Sequence, residues 1–473
     1  MKPIKWEISP EKRTLYKRIY EITWPAFVEL VMSTMFGMVD MMMLGQYSAS
    51  AVAAVGLTNQ PNMLLMACFS AINVGATTLI AWGVGAGDTK SARNVTRQTL
   101  IVNLALGLVI SVLGIWASRP VVVFMAAGGI DEETMETGVR YFQIIAAGLL
   151  FQELNMAVTA ALRGSGQTRV PMVYNLVANL LNVLGNYIFI YGKLGLPAMG
   201  AEGAALSTTL SRAIGCGIAL YVVMSRRSMT HIIHVSLKAD WRPDWQVIRQ
   251  MLKIGAPATF EQFILQSGFM LFARTVSTLG TTVFAAHQIG LNINSLAFSP
   301  ANAFGVAATT LVGQSIGRGE TDVAMKQSKV IGHLSMAVNC LVGVLFLLVP
   351  QVFARLYTSD AEVIAMTCLC LRMIAVAQPG MSQQLSLAGA LRGAGDTLFP
   401  MIASVSGVWV FRVIVCYLMV NILGLGLFGA WLTMVMDQYL RAAIIMLRHR
   451  SGKWLTYKQR SLERRAQKKA QQA

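Results

Sequence analysis

Ten charged residues stand away from the ends of long apolar runs in this 473-residue chain: Glu29, Asp40, Glu153, Arg212, Glu261, Arg274, Arg372, Arg412, Asp437 and Arg441. A charge at the middle of a bilayer costs about 2.5–3.5 kcal/mol on insertion scales, so each is a functional candidate by default. Asp437 and Arg441, four residues apart, read as an ion pair within one helix. Arg212, Arg274 and Arg372 read as side chains that reach toward a nearby interface. Arg412 falls mid-span and needs a buried partner, with Asp437 and Glu261 the acids at hand. Glu29 and Asp40 are more pointed. Their spacing closes to within about 20° of three full helical turns, so both lie on one face, about 16 Å apart along the axis. Stacked carboxylates of this kind mark a path for protons or cations. Met38, Met41, Met42 and Met43 surround Asp40, and flexible thioethers suit irregular ligands. Trp409 and Tyr439 offer ring faces to organic cations.

The elements that hold these residues are transmembrane helices. Hydrophobic residues make up 55% of the chain and charged ones 13%, against about 25% charged in a soluble domain, and the mean hydropathy is +0.55. Runs long enough to span hydrocarbon fall at 20–45, 54–82, 95–118, 138–162, 170–192, 203–225, 250–278, 283–313, 328–354, 363–391, 399–422 and 428–447. The fold class is therefore all-α and polytopic, with twelve transmembrane helices. A charged segment precedes the first span without a small-residue cleavage site, which is not the form of a secretory signal.

The chain also repeats itself. Ala161-Leu162-Arg163-Gly164-Ser165-Gly166-Gln167-Thr168 returns as Ala390-Leu391-Arg392-Gly393-Ala394-Gly395-Asp396-Thr397, an offset of 229. Trp24-Pro25 with Glu29 returns as Ala256-Pro257 with Glu261, and Thr77-Thr78-Leu79 as Thr309-Thr310-Leu311, both at 232. A period near half the length indicates two homologous halves. Six spans per half bring the chain back to its starting side, so the repeats are parallel about an axis along the membrane normal. The expected organisation is an N-tail at 1–19, an N-lobe at 20–225, a linker at 226–249, a C-lobe at 250–450 and a basic C-tail at 451–473. The repeated glycines supply turns; Arg163 and Arg392 read as helix caps or headgroup anchors. Arg242-Pro243-Asp244-Trp245 reads as a helix start.

The net charge of +17 is an orientation signal and not a nucleic-acid footprint. Segments on the N-terminal side hold 30 of the 39 Lys and Arg, and the opposite side only Arg119, Arg140, Lys193 and Arg355. By the positive-inside rule both termini are cytoplasmic in a multi-pass inner (plasma) membrane protein. The C-tail basic residues Arg464, Arg465, Lys468 and Lys469 are expected against anionic membrane lipids or in solvent. The six Cys lie within spans without zinc spacing, and no nucleophile elbow or nucleotide fingerprint appears. An enzyme, a resident metal and a cofactor are not expected.

The duplicated six-helix unit, the Leu391–Thr397 turn, Met38-Val39-Asp40 with Leu44-Gly45, and Gly407-Val408-Trp409 with Arg412 resemble the multidrug and toxic compound extrusion (MATE) family, from about residue 15 to 450. The resemblance implies a monomeric secondary antiporter with a V-shaped pair of lobes. It exports small cationic, amphipathic organic compounds in exchange for H⁺ or Na⁺. It gives Asp40 the cation-coupling role and makes Pro25 a helix bend, with Pro257 its repeat-mate. Asn182 and Asn186 fall where the proton-coupled branch has an asparagine and an aspartate. The sodium-linked branch's further acids fall at Leu265 and Met381, which favours H⁺. Glu261, beside Gln262, is then the available C-lobe acid, with Glu29 its N-lobe counterpart. The expected coupling residues are Asp40, Glu261 and Glu29, and the expected cleft residues Asn182, Asn186, Met38, Arg412 and Trp409. A lipid-linked-saccharide flippase of the same superfamily would need a strongly cationic cavity, and a polytopic membrane enzyme a His/Asp pair at one face.

Overall fold

A computed structural model describes residues 10–126, 131–225, 232–236, 238 and 240–459. The helices are α1 (Pro10–Tyr47), α2 (Ala49–Ala67), α3 (Ser70–Gly85), α4 (Thr89–Trp116), α5 (Ser118–Ala126), α6 (Glu132–Ser165), α7 (Arg169–Tyr191), α8 (Gly200–Met224), α9 (Trp245–Ser277), α10 (Thr281–Arg318), α11 (Thr321–Leu348), α12 (Pro350–Arg355), α13 (Ala361–Gly393), α14 (Leu398–Gly407) and α15 (Gly426–Arg450). No strand occurs among the described residues. Nine of the described helical segments are long and apolar enough to cross a membrane, and α2 with α3 makes a tenth span bent by 40°. One of the nine is α14 continued to Ile422 through π-helical turns at Val408–Val415 and Leu418–Ile422. The longer-reaching α9 and α15, which carry more polar residues, complete the expected twelve. The segment 10–19 is already helical as the start of α1, and α9 begins at Asp244, which caps Gln246 and Val247.

The repeated turn is built the same way in both halves. Gly166 and Gly395 adopt φ +89° and +88°, the left-handed conformation that glycine enters without penalty. Thr168 then donates to the Ile22 carbonyl at 3.0 Å, and Thr397 to the Ile254 carbonyl at 2.5 Å. Thr168 also reaches the Glu21 carbonyl at 3.4 Å, the acceptor four residues before Pro25 that the missing proline N–H leaves without its helical donor.

The two lobes meet at the end that holds the beginning of α1 and the end of α15. Thr78 donates to the Arg392 carbonyl at 2.9 Å and Trp82 to the Gly393 carbonyl at 2.8 Å. In reverse, Thr310 donates to the Arg163 carbonyl at 2.8 Å and Gln314 to the Gly164 carbonyl at 3.3 Å. The pairs are repeat-mates, so the seal is a pseudo-two-fold clasp. Outside the span, Asn94 donates to Asp244 at 3.0 Å, which holds that carboxyl below its ordinary range. The stabilisation is therefore present at neutral pH and lost as pH falls through the carboxylate range. Residues 451–459 fold back under this seal: Trp454 is fully buried, and Lys458 donates to the Gly317 carbonyl at 3.2 Å while facing the Trp82 ring. Arg464, Arg465, Lys468 and Lys469 lie outside the described residues.

Glycine allows α3 and α9 to touch backbone to backbone. A Cβ on Gly75 would collide with the Met251 carbonyl, and one on Gly255 with the Ala71 carbonyl. Gly255→Ala is expected to pry the clasp apart. Overpacking costs about 1–3 kcal/mol, which shifts the closed-to-open ratio roughly 5- to 150-fold. Paired spin labels on the two lobes at this end should report a longer distance; an unchanged distribution contradicts the close-approach argument.

Candidate functional site

Two polar clusters and two cavities occupy the middle of the molecule. In the N-lobe, α1 and α7 run side by side. Asn175 donates to Glu29 at 2.7 Å and Asn186 to Asp40 at 2.6 Å. The eleven-residue spacing of the two acids on α1 is matched by the same spacing of the two amides on α7, as parallel helices in register require. With its nitrogen turned to the acid, Asn182 donates to both Asp40 oxygens at 2.9 and 3.0 Å. Its carbonyl then accepts from the Thr208 amide and hydroxyl. Asp40 is therefore a half-buried carboxylate gripped by two amides, with Arg212 as the cation in electrostatic range. Arg212 also faces Tyr141 and Glu153, and its Nη1 is buried without a partner. It belongs to the lobe interior, contrary to the interface position expected for it.

In the C-lobe the charges are differently disposed. Asp437 is fully buried and takes Arg412 Nε at 2.6 Å, Arg441 Nε at 2.6 Å and Arg441 Nη2 at 2.5 Å. Of the two partners open to Arg412, Asp437 is the one it has. Glu261 is held instead by Arg392, at 2.9 and 3.0 Å, and by the Ser404 hydroxyl at 2.6 Å. Its repeat-mate Glu29 is held by Arg163 at 3.1 Å and by Asn175. The repeat thus conserves a whole motif within this one chain: acid on the first helix, arginine at the end of the fourth, and a polar partner on the fifth (Asn175 and Ser404, again 229 apart). Arg163 and Arg392 turn inward to these acids, which replaces their expected role as caps or headgroup anchors. Each of the two arginines also offers its carbonyl to the other lobe's threonine, so the intramembrane acids are wired to the clasp.

A cavity of about 590 Å³ lies between α1 of the N-lobe and α9, α10, α13 and α15 of the C-lobe. Glu261, Gln262, Leu265, Arg392, Arg412 and Arg441 are among its lining residues. A smaller cavity of about 280 Å³ between the lobes is lined by Glu153, Arg163 and Arg392. Glu153 is almost fully buried, with Oε2 unpartnered. Met38 and Trp409 line neither cavity; Trp409 lies on the outside of the π-helical segment, 37% exposed. Pro25 and Pro257 stay inside continuous helices. The arrangement can bind, neutralise and release charge.

The sequence profile of the MatE family matches residues 25–188 and again 257–418, once per lobe. The chain belongs to the MATE family. Among relatives, a probable multidrug resistance protein NorM of Thermotoga maritima is 33% identical over 448 residues, covering 95% of this chain and 94% of that protein. The multidrug resistance protein PmpM of Pseudomonas aeruginosa is 29% identical over 84% of this chain and 82% of its own length. A solved structure described as the outward-facing conformation of a multidrug resistance MATE family transporter superposes with TM-score 0.86 at 23% identity. It covers 93% of this chain and 97% of that one. The protein is a membrane-embedded transporter of this family and not an enzyme.

Within this MATE transporter, the arginine partners of Glu29 and Glu261 are the residues that sequence reasoning missed. The signal for them was present. Both acids and both arginines repeat, at 232 and 229, whereas Asp40 has Phe272 as its repeat-mate. A charge that repeats together with an opposite charge is more economically read as a pair than as two anchors.

Proposed function

We propose that this transporter exports cationic amphipathic organic compounds in exchange for H⁺, as a monomer in the inner membrane, with both termini and the clasp on the cytoplasmic side. The Lys/Arg asymmetry supports the orientation. The observation that carries the coupling reading is the grip of Asn182 and Asn186 on Asp40, an acid on α1 that, unlike Glu29, has no arginine within ion-pair distance among the described residues. A carboxyl so placed changes charge when it takes up a proton from the open side. The neutral form loses its attraction for a bound cation and the drug leaves; loss of the proton to the cytoplasm restores the site. Glu29 and Glu261 contribute through Arg163 and Arg392: neutralising either acid frees its arginine and loosens the clasp, so that the lobes alternate access.

Leu265 lines the cavity and Met381 is buried; neither offers the oxygen that a dehydrated Na⁺ requires. The test is proton release. Adding a cationic dye to the purified protein in weakly buffered detergent at mildly acidic pH should release up to one proton per bound dye. Binding without proton release contradicts the reading. Glu261→Gln is expected to lower stability by about 1–3 kcal/mol, as loss of a charge-assisted bond to a partly exposed arginine does, and to change proton release. A thermal shift with unchanged release and unchanged dye affinity removes Glu261 from the coupling path.

A further inference from the structure

The central cavity is lopsided in charge, and its C-lobe wall is the positive side. Arg412 and Arg441 both line it, while the single carboxylate they share, Asp437, is 0% exposed behind them. Two guanidiniums on one carboxylate leave a positive charge in excess, because Glu261 is already spent on Arg392. The orientation of Arg412 matters. Phe269 and Phe272 lie against its guanidinium at 4.8 and 5.9 Å, which covers the face. Its Nε is given to Asp437. The two terminal nitrogens form no hydrogen bond among the described residues, so the free edge of the fork is what remains. A planar guanidinium edge in an apolar setting is matched by a carboxylate.

A second observation points to the same place. The fifth span of the N-lobe, α7, is regular α-helix, whereas the matching C-lobe span widens into π-helix at Val408–Val415, around Arg412. Such turns are frequent at functional sites. The lobes also differ in sign. Thr208 and Arg212 are the repeat-mates of Asp437 and Arg441 at 229, and Asp40 that of Phe272 at 232. The N-lobe thus carries its acid on the first helix, and the C-lobe two arginines facing the cleft.

We propose that the edge of Arg412, with Arg441 beside it, is a carboxylate-binding subsite, and that the preferred substrates are zwitterionic amphiphiles with an anionic group seated there. This deepens the efflux reading above, on which it rests for the cationic end. The test uses the full-length protein in lipid nanodiscs and two dyes: a rhodamine with a free carboxylate and its methyl ester, alike except for that charge. The free acid should bind at least about 10-fold more tightly than the ester, the size of one charge-assisted hydrogen bond. Arg412→Gln should bring the acid-to-ester ratio toward one, and Arg412→Lys should keep part of it. Equal affinities in the wild type overturn the subsite, as does a ratio that Arg412→Gln leaves unchanged. If Arg412→Gln does not fold, the wild-type ratio decides. Proteoliposome export separates the two claims: acid preference in binding without transport of either dye sinks the efflux reading and keeps the subsite. Export of both dyes without acid preference does the reverse.

Discussion

Asp40→Asn is expected to abolish coupled export while leaving the protein folded and inserted. The substitution is isosteric, and the amide that replaces the carboxylate keeps an oxygen to accept from Asn186 and Asn182, so packing on α7 survives. What disappears is the only change of charge at that point. One H⁺ exchanged for one monovalent cation moves no net charge, so the pH gradient is the driving force, and each pH unit is worth about 1.4 kcal/mol, a roughly 10-fold concentration ratio. Export driven by that gradient should therefore fall by about this factor per pH unit, to the level of passive leak. Efflux of a cationic dye from cells, at matched expression and with an unchanged thermal midpoint, measures it. Normal proton-driven efflux in the variant would remove Asp40 from the mechanism.

The largest loss of stability is expected from Asp437→Asn. The carboxylate is fully buried and takes three guanidinium hydrogen bonds from Arg412 and Arg441. Removing its charge leaves two buried cations facing each other across a neutral amide. Breaking a buried pair by removing one partner costs about 3–5 kcal/mol, and here both arginines lose theirs. Gly407 adds to the constraint, since a Cβ there would collide with the Asp437 carboxylate, so the surroundings have no room to rearrange. The melting midpoint in detergent should drop by several degrees, and Asp437→Asn combined with Arg441→Gln should recover part of the drop, because one of the stranded charges is gone. A single variant that melts with the wild type contradicts the assignment of Asp437 as the cluster's counter-charge.

Much of this architecture is legible in the sequence, because bilayer spanning and internal repetition both leave strong one-dimensional signals. Twelve spans, the two-lobe plan and the turn glycines follow from apolar run length and the offsets. The face shared by Glu29 and Asp40 is legible too, since helical geometry fixes it. What was not legible is partnership across spans. Arg163 and Arg392 sit at helix ends, where a basic residue has an adequate local use, and only the packing of α1 on α7 and of α9 on α14, with the pairs Arg163–Glu29 and Arg392–Glu261, shows that they turn inward. Arg212 was misplaced for the same reason: depth along a helix can be read from the sequence, but the direction of a side chain around it depends on neighbours. Met38 and Trp409 line neither of the two central cavities, and a π-helical turn re-aims Trp409 relative to Arg412 in a way that no α-helical spacing rule anticipates.

The central claim is that protonation of Asp40 drives export. It is tested most directly in proteoliposomes holding the purified transporter and a cationic dye, with pH and Na⁺ gradients imposed separately. An inward proton gradient without Na⁺ should drive dye exchange, and Asp40→Asn should abolish it. Exchange that requires Na⁺ and persists when the pH gradient and membrane potential are both collapsed would contradict the account.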